Sequence, residues 1–170
     1  MSTDIIPATI KPESLTVIVD TREQNPYNVA PLRTTPGTLC TGDYSIVGLE
    51  HVVRIERKSL PDLLACVGRE RERFDREVQR LLSFPVRVLV VEATWNQIEM
   101  GEWRSQIKPS QAMGSLLGWI ASGLPIVMAD SHERGGQFTS RILYTTARRR
   151  WREANLLVRA VESAIEAEVS

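Results

Sequence analysis

The chain has 170 residues, and its 21 lysines and arginines balance its 21 aspartates and glutamates. That length suits one domain with a core of its own. Zero net charge excludes nucleic-acid binding through a general positive field, so such a partner would need a local basic patch. The two cysteines show neither metal-ligand spacing nor a disulfide framework, which favours a reducing, cytoplasmic setting.

Secretory and membrane segments are not predicted. The N-terminal residues lack the basic start and apolar stretch of a signal peptide. One uncharged run, at 111–129, contains three glycines and Pro125. We interpret it as a helix, a turn and a strand of the core, because a membrane span needs about 20 mostly apolar residues.

The first half of the chain predicts three strands, over residues 15–20, 38–47 and 51–58, because these runs are rich in β-branched residues. A long loop with three prolines separates the first two strands, and loops of that length tend to be functional or mobile. A turn near Gly48 joins the second and third strands. Residues 1–14 are polar and contain proline, which predicts a flexible arm.

The second half alternates helices and strands. Helices are predicted from Ser59, over 69–82 and 109–122, and from Asp130, because apolar residues recur at helical spacing or capping residues stand at the start. Residues 85–93 are continuously apolar apart from one arginine and one glutamate, as in a strand buried on both faces.

The remaining elements complete the predicted architecture. A further strand is expected at 125–129, and residues 155–170 show an amphipathic helical pattern. We therefore divide the chain into the arm (1–14), a domain (15–150) and a C-terminal helix (151–170) that packs on the domain or on a second subunit. Early strands followed by alternating strands and helices predict an α/β fold with a mixed sheet flanked by helices.

A charged triplet, Glu56, Arg57 and Lys58, stands in the third predicted strand. Because side chains alternate along a strand, Glu56 and Lys58 share one face and Arg57 takes the other. A hairpin brings Asp43 close to Glu56, and Asp20 could reach the same edge. Carboxylates that converge need a cation, and Mg²⁺ is bound by a few carboxylates together with substrate phosphates. Such a site serves metal-assisted phosphodiester hydrolysis, with the lysine positioning water or stabilising charge.

The spacing alone leaves a second interpretation open. Glu56 and Lys58 would then be an exposed same-face pair on an edge strand, contributing less than about 1 kcal/mol to stability.

Several motifs in a fixed order extend this pattern. The sequence reads Gly42-Asp43, a gap of twelve residues, Glu56-Arg57-Lys58, three residues and Asp62. Upstream, VDTRE supplies Asp20, Arg22 and Glu23, and downstream RFDREVQRLLSFPVRVLVVEA is a helix followed by a strand that ends in glutamate. Over roughly residues 15–150 the chain resembles the nuclease domain of the XPF/MUS structure-specific endonucleases, a branch of the restriction-endonuclease-like superfamily.

This resemblance implies a restriction-endonuclease-like mixed central sheet and a DNA endonuclease that depends on Mg²⁺ or Mn²⁺. It implies that Asp43 and Glu56 are metal ligands, that Asp20 and Glu23 are further acids of the metal site, and that Lys58 is the catalytic lysine. Asp20, Asp43, Glu56 and Lys58 together are the predicted catalytic set.

Four arginines are candidate DNA contacts. Arg22 and Arg57 would contact phosphate, or else tie the acids together by bidentate pairing. Arg149 and Arg150 belong to a basic helical segment that could follow phosphates. The alternative for these two is a solvated helix end, where cations are favourable.

The chain departs from the family pattern at two places. Glu77 stands where the family helix carries glutamine, and residues 151–170 hold one helix rather than a tandem helix-hairpin-helix module. We therefore expect a nuclease domain without that module. Asp62 also suits a helix cap, and we expect its contribution to be structural. Trp103, in a polar stretch, is a candidate for lying near the substrate.

The leading hypothesis is an endonuclease that cuts branched, flap or junction DNA during repair, recombination or replication. Alternatives are a catalytically silent DNA-binding or scaffold subunit of a nuclease complex, and a nuclease acting on linear or nicked DNA. A homodimer or a partner protein is left open, and no membrane partner is expected. A bacterial or phage protein would be cytoplasmic and a eukaryotic one nuclear.

Overall fold

The computed structural model describes residue 7 and residues 9–169, with side chains described through residue 167. Six strands form one sheet, and their bounds are β1 (Thr16–Asp20), β2 (Arg33–Gly37), β3 (Tyr44–Ile46), β4 (Val53–Ser59), β5 (Val86–Glu92) and β6 (Ile126–Met128). The helices are α1 (Leu60–Val67), α2 (Arg71–Leu81), α3 (Trp95–Met100), α4 (Pro109–Ala121) and α5 (His132–Val169), and a 3₁₀ turn covers Pro12–Ser14.

The sheet is mixed, in the order β2-β1-β3-β4-β5-β6. The β3 strand runs antiparallel to both β1 and β4, whereas β1 pairs with β2, β4 with β5, and β5 with β6 in parallel. This arrangement confirms the predicted α/β fold with a mixed central sheet. It also places β4, the strand of the charged triplet, in the middle of the sheet.

Two apolar cores lie on the two faces of the sheet, and β5 contributes to both. Leu89 and Val91 pack with α1, α2 and α4, whereas Val88 and Val90 pack with α5 and the loop before β2. Alternate side chains of a strand point to opposite faces, so a strand covered on both sides needs an almost continuous apolar sequence. The apolar run in the sequence therefore reflects the two-sided burial of β5.

Two elements of the structure were not predicted from the sequence. The supposed loop between the first two strands contains β2, whose Pro36 is tolerated because β2 lies at the edge of the sheet. The short helix α3 is held by a capping box between Thr94 and Gln97, in which each residue's side chain accepts from the other's backbone N–H.

The last helix, α5, continues without a break across residues 150 and 151, where the sequence was divided. Its first half packs in the core through Leu143 and Ala147. Its second half presents an exposed apolar row to solvent, formed by Leu156, Leu157, Val161 and Ile165. This row does not pack on the described part of the domain, and a second subunit stays a prediction. No helix in the described ranges combines the length and apolarity needed to cross a membrane.

The arm is placed against α5 where it is described. The indole N–H of Trp151 donates to the Pro7 carbonyl at 2.7 Å, and the Tyr144 hydroxyl donates to the Ile10 carbonyl at 3.2 Å. Residues 1–6 and 8 lie outside the described residues.

A close approach near the start of α5 leads to a testable prediction. A Cβ at Gly136 would lie 2.6 Å from the carbonyl oxygen of Asn28, a backbone atom that cannot turn aside. Gly136→Ala should therefore lower the free energy of unfolding by about 1–3 kcal/mol, measured by urea denaturation. Gly114→Ala on α4 is the matched control, because nothing lies within 4 Å of its Cβ position. It should raise stability by about 0.5–1 kcal/mol. Equal effects in the two variants would contradict the assigned packing.

Candidate active site

Backbone hydrogen bonds of three adjacent strands fix the position of Asp43. Its N–H donates to the Ile55 carbonyl and its carbonyl accepts from the Asp20 N–H, both at 2.8 Å. Its Oδ2 accepts from the Arg57 N–H at 2.7 Å. Gly42 enters this turn at a φ of 74°, where a Cβ would lie 3.2 Å from the Ile55 carbonyl oxygen. A glycine is needed here because other residues rarely adopt that conformation.

Glu56 and Lys58 are buried together on one face of β4, as the strand alternation predicts. Glu56 is 2% exposed and Lys58 is 9% exposed. The Lys58 ammonium donates to Glu56 Oε1 and lies 5.0 Å from the centre of the Phe74 ring. The alternative of an exposed pair on an edge strand is therefore wrong, because β4 is a central strand and both side chains are enclosed.

The second carboxylate oxygen of Glu56 is buried and has no hydrogen-bond partner among the described residues. An unpartnered buried carboxylate oxygen is costly. Such an atom, on a side chain that contacts Lys58, is suited to a cation.

Burial and mutual repulsion make these acids hard to ionise. Burial raises the pKa of Asp43 to about 6, with smaller contributions from the nearby charges of Glu23 and Glu77. Burial also raises the pKa of Glu56 to about 8, and Asp43 adds to this effect. For Lys58, burial lowers the pKa, but the contact with Glu56 outweighs burial, so the pKa lies above its ordinary value. Lys58 therefore stays protonated at neutral pH.

Asp20 lies next to this group but is saturated with hydrogen bonds. Its Oδ1 accepts from the backbone and side chain of Arg22, and its Oδ2 accepts from Arg22 and from the Leu39 N–H at 2.7 Å. Burial opposes its ionisation, yet these bonds outweigh burial and lower the pKa of Asp20. In this conformation Asp20 holds the loop before β3, and its role as a metal-site acid stays a prediction.

Arg57 joins the acids on the other face of β4. Its guanidinium bonds both oxygens of Glu92, at 2.7 and 3.3 Å, and reaches Glu23 at 3.2 Å. The three side chains are at most 11% exposed. Glu23 also accepts from the Asn25 N–H, and the His132 ring lies 2.9 Å from Glu92. These contacts agree with the alternative in which Arg57 ties acids together. Contact of Arg57 with DNA stays a prediction.

An open polar cleft of about 370 Å³ lies over this arrangement. Its walls include Asp43, Lys58, Arg57 and Glu23 together with Arg22, so most of the predicted site residues face one cavity. Asp62 lines the same cleft and, as expected, supports a helix start: Ser59 donates to its carboxylate at 2.5 Å and accepts from its N–H. The cleft has room for a phosphate group beside the paired acids.

The fit of the site to a metal rests on two carboxylates. Within the described residues, no group of three or more His, Cys, Asp or Glu side chains is arranged to hold an ion. Asp20 has both oxygens occupied, and Glu23 is paired with Arg57 through Oε1. Asp43 keeps Oδ1 and the buried Glu56 keeps Oε2 without a hydrogen-bond partner among the described residues. Two carboxylates are sufficient for Mg²⁺ when substrate phosphates and water complete the shell. The oxygen donors fit a hard divalent cation.

The profile of the ERCC4 domain matches residues 19–142. The chain belongs to the ERCC4 domain family. This is the structure-specific DNA endonuclease family that the sequence motifs indicated. No curated protein matches the sequence.

Two solved structures share the fold of this ERCC4 domain. XPF from Aeropyrum pernix is 16% identical with a TM-score of 0.63, and the match covers 87% of this chain and 73% of that one. XPF from Aeropyrum pernix in complex with DNA is 18% identical with a TM-score of 0.60, covering 78% and 64% of the two chains. These matches confirm the predicted restriction-endonuclease-like fold.

Arg149 and Arg150 lie far from the cleft of the ERCC4 domain. They border a separate cavity beside Val86, which pairs with Val53 at the opposite end of β4 from Ser59. The two ends of the strand are six residue steps apart, or about 20 Å. Both arginines also pair with Glu153. The structure does not bring them to the site, and their DNA contact stays a prediction.

Several site residues of the ERCC4 domain were not predicted from sequence. Glu92 and His132 join the Arg57 contacts, and the Tyr27 ring lies 4.8 Å from the His132 ring. Glu77, noted only as a departure, raises the pKa of both Asp43 and Glu56. The signal in the sequence was the glutamate that ends the apolar strand. Parallel pairing of β5 with β4 places this residue, Glu92, opposite Ser59, two residues after Arg57.

Proposed function

We propose that this chain is a divalent-metal-dependent DNA endonuclease, acting with Mg²⁺ or Mn²⁺. Its substrates would be branched, flap or junction DNA formed during repair, recombination or replication. The carrying observation is the buried Glu56 carboxylate. One of its oxygens has no hydrogen-bond partner among the described residues, and the other is bonded to Lys58, which lines the polar cleft together with Asp43.

The roles of the residues follow from their contacts. Asp43 and Glu56 would hold the ion with their available oxygens. When bound, such an ion polarises a phosphodiester and makes hydroxide available near neutral pH. Lys58 stays protonated beside Glu56, so it stabilises negative charge on the phosphate instead of acting as a base. Arg22, whose side chain is 67% exposed at the mouth of the cleft, is placed to contact the DNA backbone.

Family membership supports this proposal. ERCC4 nucleases generally depend on divalent metal ions. One solved structure of similar fold is described as an XPF complex with DNA. Burial also favours a functional interpretation, since an acid and a lysine are seldom enclosed without a use.

A cleavage assay tests the proposal. Labelled flap, fork, Holliday-junction and plain duplex DNA are incubated with the protein and Mg²⁺ or Mn²⁺, with EDTA and Asp43→Asn as blanks. We expect metal-dependent cutting of the branched substrates in preference to duplex. Glu72→Gln, an exposed acid on α2, is the matched control and should cut normally. DNA binding without cleavage under every condition would overturn the enzyme proposal in favour of a scaffold subunit.

A further inference from the structure

We propose that a second cavity beside the cleft binds an unpaired nucleotide of the DNA substrate, with the base against Trp103 and its phosphate near Arg104. This inference rests on the proposed function, because it concerns the same substrate. The cavity has a volume of about 510 Å³ and lies between α1 and the loop that joins α3 to α4. Its size falls in the usual range for small-ligand sites, roughly 300–1,000 Å³.

The cavity adjoins the catalytic cleft through the first turn of α1. Pro61 lines this cavity and Asp62, the next residue, lines the cleft. Lys58 lies just upstream on β4 and also lines the cleft. A strand whose phosphate sits at Lys58 can therefore place a neighbouring nucleotide in the second cavity.

The floor of the cavity is apolar and fixed in shape. Leu60 and Leu64 of α1 face Ile107 and Trp103 of the loop. The Trp103 indole N–H donates to the Ile107 carbonyl at 2.8 Å, which holds the ring. The loop lies close to the end of α1, since a Cβ at Gly68 would be 2.9 Å from Ile107 Cδ1. A held indole on an apolar floor offers a stacking surface for a base.

The rim of the cavity is basic. Arg69 and Arg104 line it, and no acidic side chain does so among the residues described. Arg69 is 82% exposed and makes only a 3.7 Å contact with Glu70, while Arg104 forms no ion pair with any described side chain. In a chain of zero net charge, two such guanidiniums over an apolar floor are complementary to a phosphate attached to a base. This charge complementarity selects a nucleotide over an apolar peptide.

The test uses metal-free protein in EDTA, so that binding is measured without cleavage. Fluorescence anisotropy gives the Kd for a labelled short oligothymidylate and for a blunt duplex at fixed salt. Trp103→Ala should weaken oligothymidylate binding by about 5- to 100-fold, the usual loss when a stacking aromatic is removed, and leave duplex binding unchanged. Trp95→Ala on α3 is the matched control, since Trp95 is 37% exposed and lines neither cavity, and it should change neither Kd.

Two further measurements keep the inference testable if Trp103→Ala disturbs the loop. Arg104→Gln alters only an exposed side chain and should lower the salt dependence of oligothymidylate binding by about one unit of the log–log slope. An oligonucleotide of abasic sites should bind the natural chain more weakly than oligothymidylate does. Trp103→Ala should bind the two oligonucleotides with equal affinity.

The outcomes separate this inference from the proposed function. Unchanged oligothymidylate binding in both variants, or an equal loss for oligothymidylate and duplex, overturns the nucleotide site. Sensitivity to Trp103 in a protein that cleaves nothing supports the nucleotide site and contradicts the endonuclease. Metal-dependent cleavage by a protein whose oligothymidylate binding is unchanged in the Trp103 and Arg104 variants supports the endonuclease and contradicts the nucleotide site.

Discussion

Asp43→Asn is expected to lower cleavage by at least about 10³-fold while making the metal-free protein more stable at pH 8. The activity falls because asparagine gives up the charge that would hold a divalent ion. The fold persists because the asparagine oxygen can still accept from the Arg57 N–H, which now bonds Asp43 at 2.7 Å. Cleavage kinetics and thermal unfolding in EDTA measure the two effects.

The sign of the stability effect follows from the pKa of Asp43. Burial raises that pKa from 3.8 to about 6, so between these values the folded state holds a proton that the unfolded state has released. Stability of the natural chain therefore falls as pH rises from about 4 to about 6, and the penalty persists at pH 8. Removing it should raise the free energy of unfolding by about 1–3 kcal/mol, while the same variant at pH 4 gains little.

Either half of this prediction can fail by itself. Cleavage at the natural rate would show that Asp43 is not a metal ligand. Loss of cleavage together with lower stability at pH 8 would show instead that the carboxylate is structural. Glu72→Gln should change neither the rate nor the stability, because its side chain is exposed on α2.

Arg57→Met is expected to produce the largest loss of stability, about 3–5 kcal/mol at pH 7, because it leaves two enclosed carboxylates without their cation. Arg57 bonds Glu92 in bidentate fashion and also Glu23, and its guanidinium lies 5.6 Å from the centre of the Tyr27 ring. Methionine keeps most of the side-chain volume, so the loss reports charge more than packing. Urea denaturation over a range of pH measures it.

The pH dependence identifies the cause. Burial opposes ionisation of Glu92, but the bonds from Arg57 and His132 outweigh it and lower the pKa of Glu92. The stabilisation is thus present above the unfolded pKa near 4.5 and is lost as pH falls through the lower folded value. The difference in stability between Arg57→Met and the natural chain should therefore shrink as the pH falls below about 4.5. Arg141→Met, at an exposed position of α5, should have little effect at any pH, and a pH-independent loss for Arg57→Met would contradict the ion-pair explanation.

The sequence predicted those parts of the site that depend on local spacing. A hairpin with its turn near Gly48 brings Asp43 beside Glu56, and strand alternation separates Arg57 from Lys58. Both predictions follow from the two-residue period of side chains along a strand and from the short connection between the two strands. Glu92 could not be assigned as the partner of Arg57 in the same way, because the pairing of β4 with β5 depends on strand order and register.

Other differences have local explanations. Asp20 has a charged neighbour two residues later, and Arg22 occupies both of its oxygens. A motif cannot distinguish this arrangement from a free ligand.

The β2 strand was not predicted because it contains a proline, which is tolerated here at the edge of the sheet. The continuity of α5 was visible in principle, because no glycine or proline follows Gly136. Within that helix the apolar residues change from buried to exposed, and this change obscured the continuity of the helix.

The anchoring of Asp43 by β1 and β4 has a consequence for how the protein loses function. Its carbonyl is bonded to β1, its N–H and its side chain are bonded to β4, and Glu56 and Lys58 belong to β4 in the middle of the same sheet. The acids cannot separate unless these strands separate, and the strands β1, β3 and β4 carry Val17, Tyr44 and Ile55 of one apolar core. The arrangement of these side chains thus belongs to the cooperative folding unit, so local opening elsewhere in the domain leaves the predicted site assembled.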